Sequence, residues 1–451
     1  MNYKKMLSAL LIVTFTILNY SPVLAIQNTK PNNLETYKFD NINLDWWKSY
    51  NDEYLTGYIE KAVKNNTDMR IATLRVEEAR QNVKLQFANE LPSAQIGLSP
   101  ALTKMPSEHS TSGSFSIPII VNYEADIFLK NHNKTQSMKK LHEVSKYSER
   151  AAYIAISSQI GSTYFNIIKL DKLIELQNQI IKDRKNIYEL MKLRNSQGLT
   201  STADLTRAEK AYVIAVADLS DLEKAREIFL RSLAVMIGDS PENINSYKRT
   251  SYEKLAELKT IPNEISSEII TQRPDYLISE ATLQKAGLDV KIAKKEFLPS
   301  INIFGVYSFN TFSSASGMNW ENALMALAGA AMLDLFRGGA KIANLKLRKN
   351  YYEQMVQNYT KTNLVAIQEV NDALCALKYD NDKYLKNLKS YNMQQKDYNY
   401  TQIKYNNGLI SNLDLLQQEE TLLSMNKMVV NAKTNCYINQ IGLYKAVGGK
   451  I

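Results

Sequence analysis

The chain carries the same segment twice, and this duplication constrains its fold more than any other feature. Residues 82–93, NVKLQFANELPS, return as 289–300, DVKIAKKEFLPS, 207 positions later, with Val83, Lys84, Leu91, Pro92 and Ser93 matched by Val290, Lys291, Leu298, Pro299 and Ser300. Residues 198–205, GLTSTADL, return as 408–415, GLISNLDL, 210 positions later, and Tyr188/Tyr398 and Gly238/Gly448 keep that offset. Matches in one order with an offset drifting by three describe a tandem duplication. Each copy, at about 200 residues, is far longer than a solenoid unit.

Both copies read in the same order. Residues 53–89 place Leu55, Ile59, Ala62, Val63, Ile71, Leu74, Ala79 and Val83 at helical spacing, with Asn65-Asn66 as a break and Pro92 as the stop. The matching helix is expected at about 275–297. After each proline the pattern changes to period two, predicting strands at 93–102 and 300–310, with return strands at 114–123 and 322–332. Ile96, Leu98, Phe115, Ile117, Ile119 and Val121 form apolar faces in the first copy, and Ile301, Ile303, Tyr307 and Phe309 one in the second. Four such strands cannot close a barrel, and an open edge is not tolerated in lipid, so a membrane location requires several chains. Three chains would supply 12 strands.

Long helical stretches follow each strand pair, at about 137–196 and 340–407, approaching roughly 90 Å at 1.5 Å per residue. Ala208, Tyr212, Ala215, Leu219 and Leu222 give the shorter return helix the 4-3-4-3 rhythm of a coiled-coil seam. Gly198 and Gly408 lie between long and return helices, at hairpin tips expected over 195–203 and 406–413, each followed by a capping serine, Ser201 or Ser411. Asp204 and Asp414 fall in the first turn of the return helices, as helix-end acids or as charges facing a pore. The expected organisation is therefore a signal peptide at 1–25, an extended segment at 26–52, repeats at 53–238 and 270–451, and a linker at 239–269.

Composition narrows the function. Lys4 and Lys5, the apolar run at 7–18 and Val23-Leu24-Ala25 have the form of a secretory signal cleaved after Ala25. No later apolar stretch is long enough for a membrane helix, which leaves β-strands as the membrane-spanning option. The net charge of +9 comes from basic residues interleaved with acids, a solvated-face pattern and not a nucleic-acid footprint. His109, His132 and His142 fall in turns or on the surface, the last two on either side of the expected strand-to-helix turn, and form no metal set. Cys375 and Cys436 read as free thiols. No nucleophile, zinc or dinucleotide motif occurs, so neither an enzyme nor a cofactor is expected.

Several segments together resemble the TolC-like outer-membrane efflux proteins, in the NodT-like branch that serves resistance-type (RND) and metal-exporting pumps. Trp46-Trp47 with Tyr50, Asp52, Leu55, Ala62 and Asn65 is similar to that family's opening, and Arg273-Pro274-Asp275 with Glu280, Leu283, Ala286 and Phe297-Leu298-Pro299-Ser300 to its internal signature. Asp334-Leu335-Phe336-Arg337-Gly338-Gly339, Glu369-Val370 with Asp372-Ala373-Leu374, and Tyr405, Gly408, Asp414 and Leu415 extend the resemblance over nearly the whole mature chain. It implies a mainly α homotrimer: a 12-stranded outer-membrane β-barrel, four strands per chain, continued by a long periplasmic α-barrel. The implied role is a passive exit duct opened by a periplasmic adaptor and an inner-membrane pump of the RND type.

The resemblance makes Asp414 the candidate for the periplasmic gate, with Gln417 standing where some relatives carry a second acid. It makes the tips, Gly198, Leu199, Ser201 and Asp204 with Gly408, Leu409, Ser411 and Leu415, the candidate adaptor-docking surface. The ten apolar strand residues become candidates for facing outer-membrane lipid. Many relatives carry a lipidated Cys at the cleavage site, whereas Ala25-Ile26 stands here. A coiled-coil envelope scaffold without transport is the alternative reading.

Overall fold

The structure, a computed structural model, describes residues 45–105, 110–258, 265–311, 323–334 and 336–449. The expected signal peptide, most of the 26–52 segment, part of the 239–269 linker and the distal ends of the strand pairs lie outside the described residues.

Seven α-helices dominate the described residues. Helix α1 (Glu53–Asn65) is capped by Asp52, whose carboxylate accepts from Tyr54 N and Leu55 N at 3.0 and 3.1 Å. Asn66 then adopts an extended backbone, ending α1, and its side chain accepts from Met69 N at 3.0 Å to start α2 (Thr67–Ala88). One asparagine thus both breaks and rejoins the helical run. The long helix α3 (Lys130–Ser196) returns as α4 (Thr202–Met236); α5 (Pro274–Lys295) opens the second repeat with proline in its first turn, and the long helix α6 (Ala340–Asn406) returns as α7 (Asn412–Ala446).

Equivalent helices have equal lengths: 22 residues in α2 and α5, 67 in α3 and α6, and 35 in α4 and α7. A 67-residue helix spans about 100 Å. Helix α3 starts at Lys130, earlier than the expected 137, so His132 and His142 share one helix with no turn between them. Ten residues at about 100° each still set them on different faces.

The offset of 207 holds from α2/α5 through the last strand residues, Ala125 and Met332; it is 210 from Lys130/Ala340 onward. The three extra residues therefore sit in the linker 333–339, against 126–129 in the first repeat. Both linkers enter their long helix through a left-handed residue, Leu129 (φ 56°) and Gly339 (φ 81°). The turn is common to both repeats, and only the second fills it with the residue that adopts it without strain.

Among the described residues five strand segments form one antiparallel sheet: β1 (Ser93–Ile96) and β2 (Ser99–Met105) both pair with β3 (Ser110–Ala125), followed by β4 (Ser300–Thr311) and β5 (Ala323–Met332). The strand expected at 93–102 is split. Segments β1 and β2 keep a single register against β3, so Gly97 and Leu98 lie opposite Pro118 and Ile117. Gly97 N donates to Pro118 O at 2.8 Å, but Pro118 has no N–H to return the bond, and the ladder lapses there. Strand β3 runs past both ends of the expected 114–123.

The core lies where helices from both repeats surround α3, which packs against α2, α4, α5 and α7. Its centre is aromatic: Phe165 stacks on Tyr437 (4.9 Å, 6°), and Trp46 and Tyr50, from the 3-10 turn Trp46–Tyr50, close over Tyr444 and Phe165. Gly161 makes room for this strap, since a Cβ there would come within 2.5 Å of the Trp46 ring. Helix α6 is different: it buries only Ala366, Val370 and Leu377, and leaves Leu364, Ile367, Leu385, Met393 and Ile403 exposed.

Candidate functional site

Pairing register decides which strand residues share a face. Ile96 lies opposite Ile119 and Ala94 opposite Val121; across the next ladder Ile117 faces Phe309, Ile119 faces Tyr307, Tyr123 faces Ile303 and Ala125 faces Ile301. The same face continues on β5 with Met325 opposite Tyr307 and Leu327 opposite Gly305. All ten strand residues singled out by alternation, Leu98 and Phe115 included, therefore lie on one side of the sheet. The other side carries Ser93, Gln95, Ser116, Asn122, Glu124, Ser300, Asn302 and Ser308 among apolar residues. Ile96, Met325 and Leu327 on the apolar side are 74%, 77% and 74% exposed among the described residues. Among the described residues both outer edges, the β1/β2 segment and β5, pair on one side only.

The two hairpin tips are built alike. Gly198 and Gly408 have φ of 72° and 69°, and the residues after them close six-residue turns: Leu199 N to Arg194 O at 2.8 Å, and Leu409 N to Lys404 O at 2.9 Å. This is the Schellman ending that a left-handed glycine permits. Ser201 and Ser411 then accept from Asp204 N and Asp414 N at 3.1 and 3.2 Å. At the second tip Asp414 completes a capping box, accepting from Ser411 N at 3.1 Å and from Ser411 Oγ at 2.7 Å. These bonds hold the Asp414 carboxyl below its ordinary range; Ser201, with Arg207 assisting, does the same for Asp204. Leu199 and Leu409 are exposed, and Leu415 is half-buried.

The tips differ in charge. Asp204 is paired with Arg207 at 2.9 Å, whereas Gln417 stands three residues beyond Asp414, which has no basic partner within 4 Å among the described residues. Asp414 is thus a cap whose charge has no basic neighbour among the described residues.

At the opposite end, each return helix is fastened to its own repeat's short helix. Asn66, before α2, donates its side-chain amide to Met236 O at 2.8 Å; Arg273, before α5, donates to Ala446 O. Arg273 also makes a two-pronged pair with Asp275 (2.9 and 2.7 Å) and reaches Glu369 of α6. The Arg-Pro-Asp motif is therefore a structural joint. Arg150 of α3, absent from the sequence reading, bonds the carbonyls of Gln272 and Gly448 at 2.9 and 3.0 Å. No local motif marks it; the only sequence signal is an arginine facing the buried stripe of a long helix.

Among the described residues no group of three or more His, Cys, Asp or Glu side chains is arranged to hold a metal ion, and no helix is long and apolar enough to cross a membrane.

Similarity to known proteins follows the same two-part plan. The profile described as outer membrane efflux protein matches residues 58–239 and again 265–449, once in each repeat. The cation efflux system protein CusC of Escherichia coli is 24% identical over 427 residues, covering 94% of this chain and 92% of that protein. The probable outer membrane lipoprotein SilC of Salmonella typhimurium is 26% identical over 414 residues, covering 90% and 87%. Among solved structures, the CmeC outer membrane channel of Campylobacter jejuni superposes with a TM-score of 0.83 at 24% identity, over 90% of this chain and 88% of that one. The open state of the MtrE channel of Neisseria gonorrhoeae gives 0.79 at 24% identity, over 88% and 89%. With both repeats matched by one family profile, the chain belongs to the outer membrane efflux protein family.

Proposed function

We propose that the chain is one subunit of a passive outer-membrane exit duct. Three copies close a 12-stranded barrel by pairing the β1/β2 edge of each with the β5 edge of the next. The observation that carries this reading is the sheet itself, which among the described residues joins one continuous apolar face to two edges paired on one side only. An open sheet in lipid would leave backbone N–H and C=O groups without partners, at several kcal/mol each, and closure removes that cost. The exposed apolar side chains of α6 support the same arrangement, since a neighbouring copy would cover them. Beyond the barrel, the paired long and return helices continue as a tube about 100 Å long.

In this reading the apolar face meets outer-membrane lipid and the more polar face lines the lumen. The tips, with exposed Leu199 and Leu409, meet a periplasmic adaptor, and an RND-type inner-membrane pump supplies the energy. Asp414 rings the narrow end, where like charges from three chains favour cations and resist closure unless screened. Relatives are named for the efflux of cations and of toluene, so one architecture serves dissimilar cargo, and selection lies with the pump.

The mass of the detergent-extracted particle, corrected for bound detergent, tests the assembly. A value near three times the mature chain, together with ion conductance in a planar bilayer, is the expected result. A monomer that stays dispersed without detergent overturns the duct in favour of a coiled-coil scaffold.

A further inference from the structure

The duplication makes each contact between the two repeats of one chain a template for a contact between copies. Equivalent residues of the long and return helices are 210 apart without a gap, since α3 and α6 have equal lengths, as do α4 and α7. Inside the chain α3 of the first repeat packs on α7 of the second, and β3 of the first pairs with β4 of the second. Moved forward by one repeat, these contacts become α6 against α4 of the next copy, and β5 against that copy's β1/β2 edge. The helical match thus continues the edge closure proposed above.

The two seams differ in chemistry. In the chain, Leu173, Leu176 and Ile180 of α3 are buried with Leu423 and Val430 of α7. Their equivalents are Lys383, Lys386 and Ser390 on α6, with Val213 and Ser220 on α4, all exposed. Two polar rungs cross the first seam: Gln177 accepts from Lys427, and Arg184 pairs with Glu420. The same places in the second seam hold Asn387 with Ala217 and Gln394 with Lys210, neither of which is an ion pair. Nearer the sheet, Arg150 of α3 is 6% exposed and bonds the carbonyls of Gln272 and Gly448, at the joint of the second repeat. Its equivalent Thr360 is exposed, and its one hydroxyl proton already goes to Val356 O at 3.1 Å.

We propose that α6 of each copy docks on α4 of the next through this more polar seam, and that the tube parts there, the two hairpins of each copy moving as one blade. The neighbouring copy comes from the duct reading, on which this docking rests. Apolar side chains withdrawn from water hold the seam inside the chain, whereas lysines and serines lose hydration on contact and gain little. Between copies there is no counterpart of the ionic rung or of the arginine clasp. Backbone ladders join the copies at the sheet, so separation grows towards the tips at the far end of the long helices.

Cross-linking and hydrogen exchange on the purified full-length particle test the two parts. With Cys375→Ser removing the exposed native thiol, Asn387→Cys and Ala217→Cys are combined in one chain and treated with a short bis-maleimide. Denaturing gels should show covalently joined chains from the double variant and single chains from either cysteine alone. Deuterium uptake, followed by mass spectrometry, should be roughly tenfold or more faster over residues 381–394 of α6 than over 171–184 of α3, and the cross-link should slow it. A particle with the mass of three chains that yields no joined chains overturns the docking. Equal or slower uptake over 381–394 overturns the parting at this seam. A particle with the mass of one chain overturns the duct itself, and the docking with it.

Discussion

Asn66 donates its side-chain amide to the carbonyl of Met236 at 2.8 Å, fastening the end of one return helix to the start of the short helix in its repeat. Arg273 and Ala446 make the same join 207 and 210 positions later, with a longer side chain that also reaches Asp275 and Glu369. The second joint spans three helices where the first spans two.

Removing either donor should loosen one repeat without unfolding the other. Asn66→Ala loses the α2 cap and leaves the Met236 carbonyl short of a partner, a cost of about 1–3 kcal/mol. Arg273→Ala should cost at least as much, since it strands a buried carbonyl and two carboxylates, although the exposure of those carboxylates moderates the ionic share. Arg273→Lys should recover little, because an ammonium cannot reproduce the two-pronged geometry. Thermal unfolding of the extracted particle, followed by circular dichroism, measures all three.

Glycines at the tips and at the joints should respond differently to the same substitution. Gly198 (φ 72°) has open space around a would-be Cβ, whereas at Gly238 (φ 76°) a Cβ would lie 2.6 Å from the Asn65 carbonyl oxygen. Gly198→Ala should therefore cost only the left-handed penalty of roughly 1–2 kcal/mol. Gly238→Ala adds a backbone clash beside the Asn66 joint, so it should lower the unfolding midpoint further and reduce the yield of assembled particle. Equal effects from the two substitutions would refute the close approach at Gly238.

Much of this was legible in the sequence because the information is local and is written twice. The apolar phase of Ile96, Ile119, Tyr307 and Phe309 follows from period two, and the Gly-x-x-Ser-x-x-Asp spelling of each tip states its own turn and cap. The split at Gly97-Leu98 was legible in principle, since Pro118 sits in the return strand, but it required knowing that Pro118 lies opposite Gly97. Register is a tertiary fact. Arg150 escaped for the same reason: its partners, the carbonyls of Gln272 and Gly448, stand 122 and 298 residues away.

Neighbouring strand residues should separate lipid from lumen. Tyr307 lies opposite Ile119 and Met325 on the apolar side, while Val306 points to the other side, opposite Ile120 and Ala326. Tyr307→Arg should cost about 2–4 kcal/mol if it falls near the bilayer midplane, and Val306→Arg much less. Assembled particle in outer-membrane extracts, scored by gel migration with and without heating, measures this. Greater loss from Val306→Arg would invert the assignment of faces.

Asp414 invites the sharpest electrical test, because its charge and its capping role can be separated. Asp414→Asn removes the charge and keeps a side-chain oxygen to accept from Ser411, whereas Asp414→Ala removes both. If Asp414 rings the periplasmic mouth, both variants should lose cation preference in reversal-potential measurements, and only Asp414→Ala should also loosen the tip. Asp204→Asn is the control, since the Asp204 charge is already met by Arg207 at 2.9 Å. The sign of the pH dependence follows from the capping box. Ser411 holds the Asp414 carboxyl below its ordinary range, so the carboxylate stays charged as pH falls toward the usual aspartate value of about 4. Its capping contribution is complete above that value and is lost only as pH drops through the depressed one. Cation preference should therefore persist at pH 5. Selectivity that instead vanishes on going from pH 7.5 to 5 would remove Asp414 from the mouth.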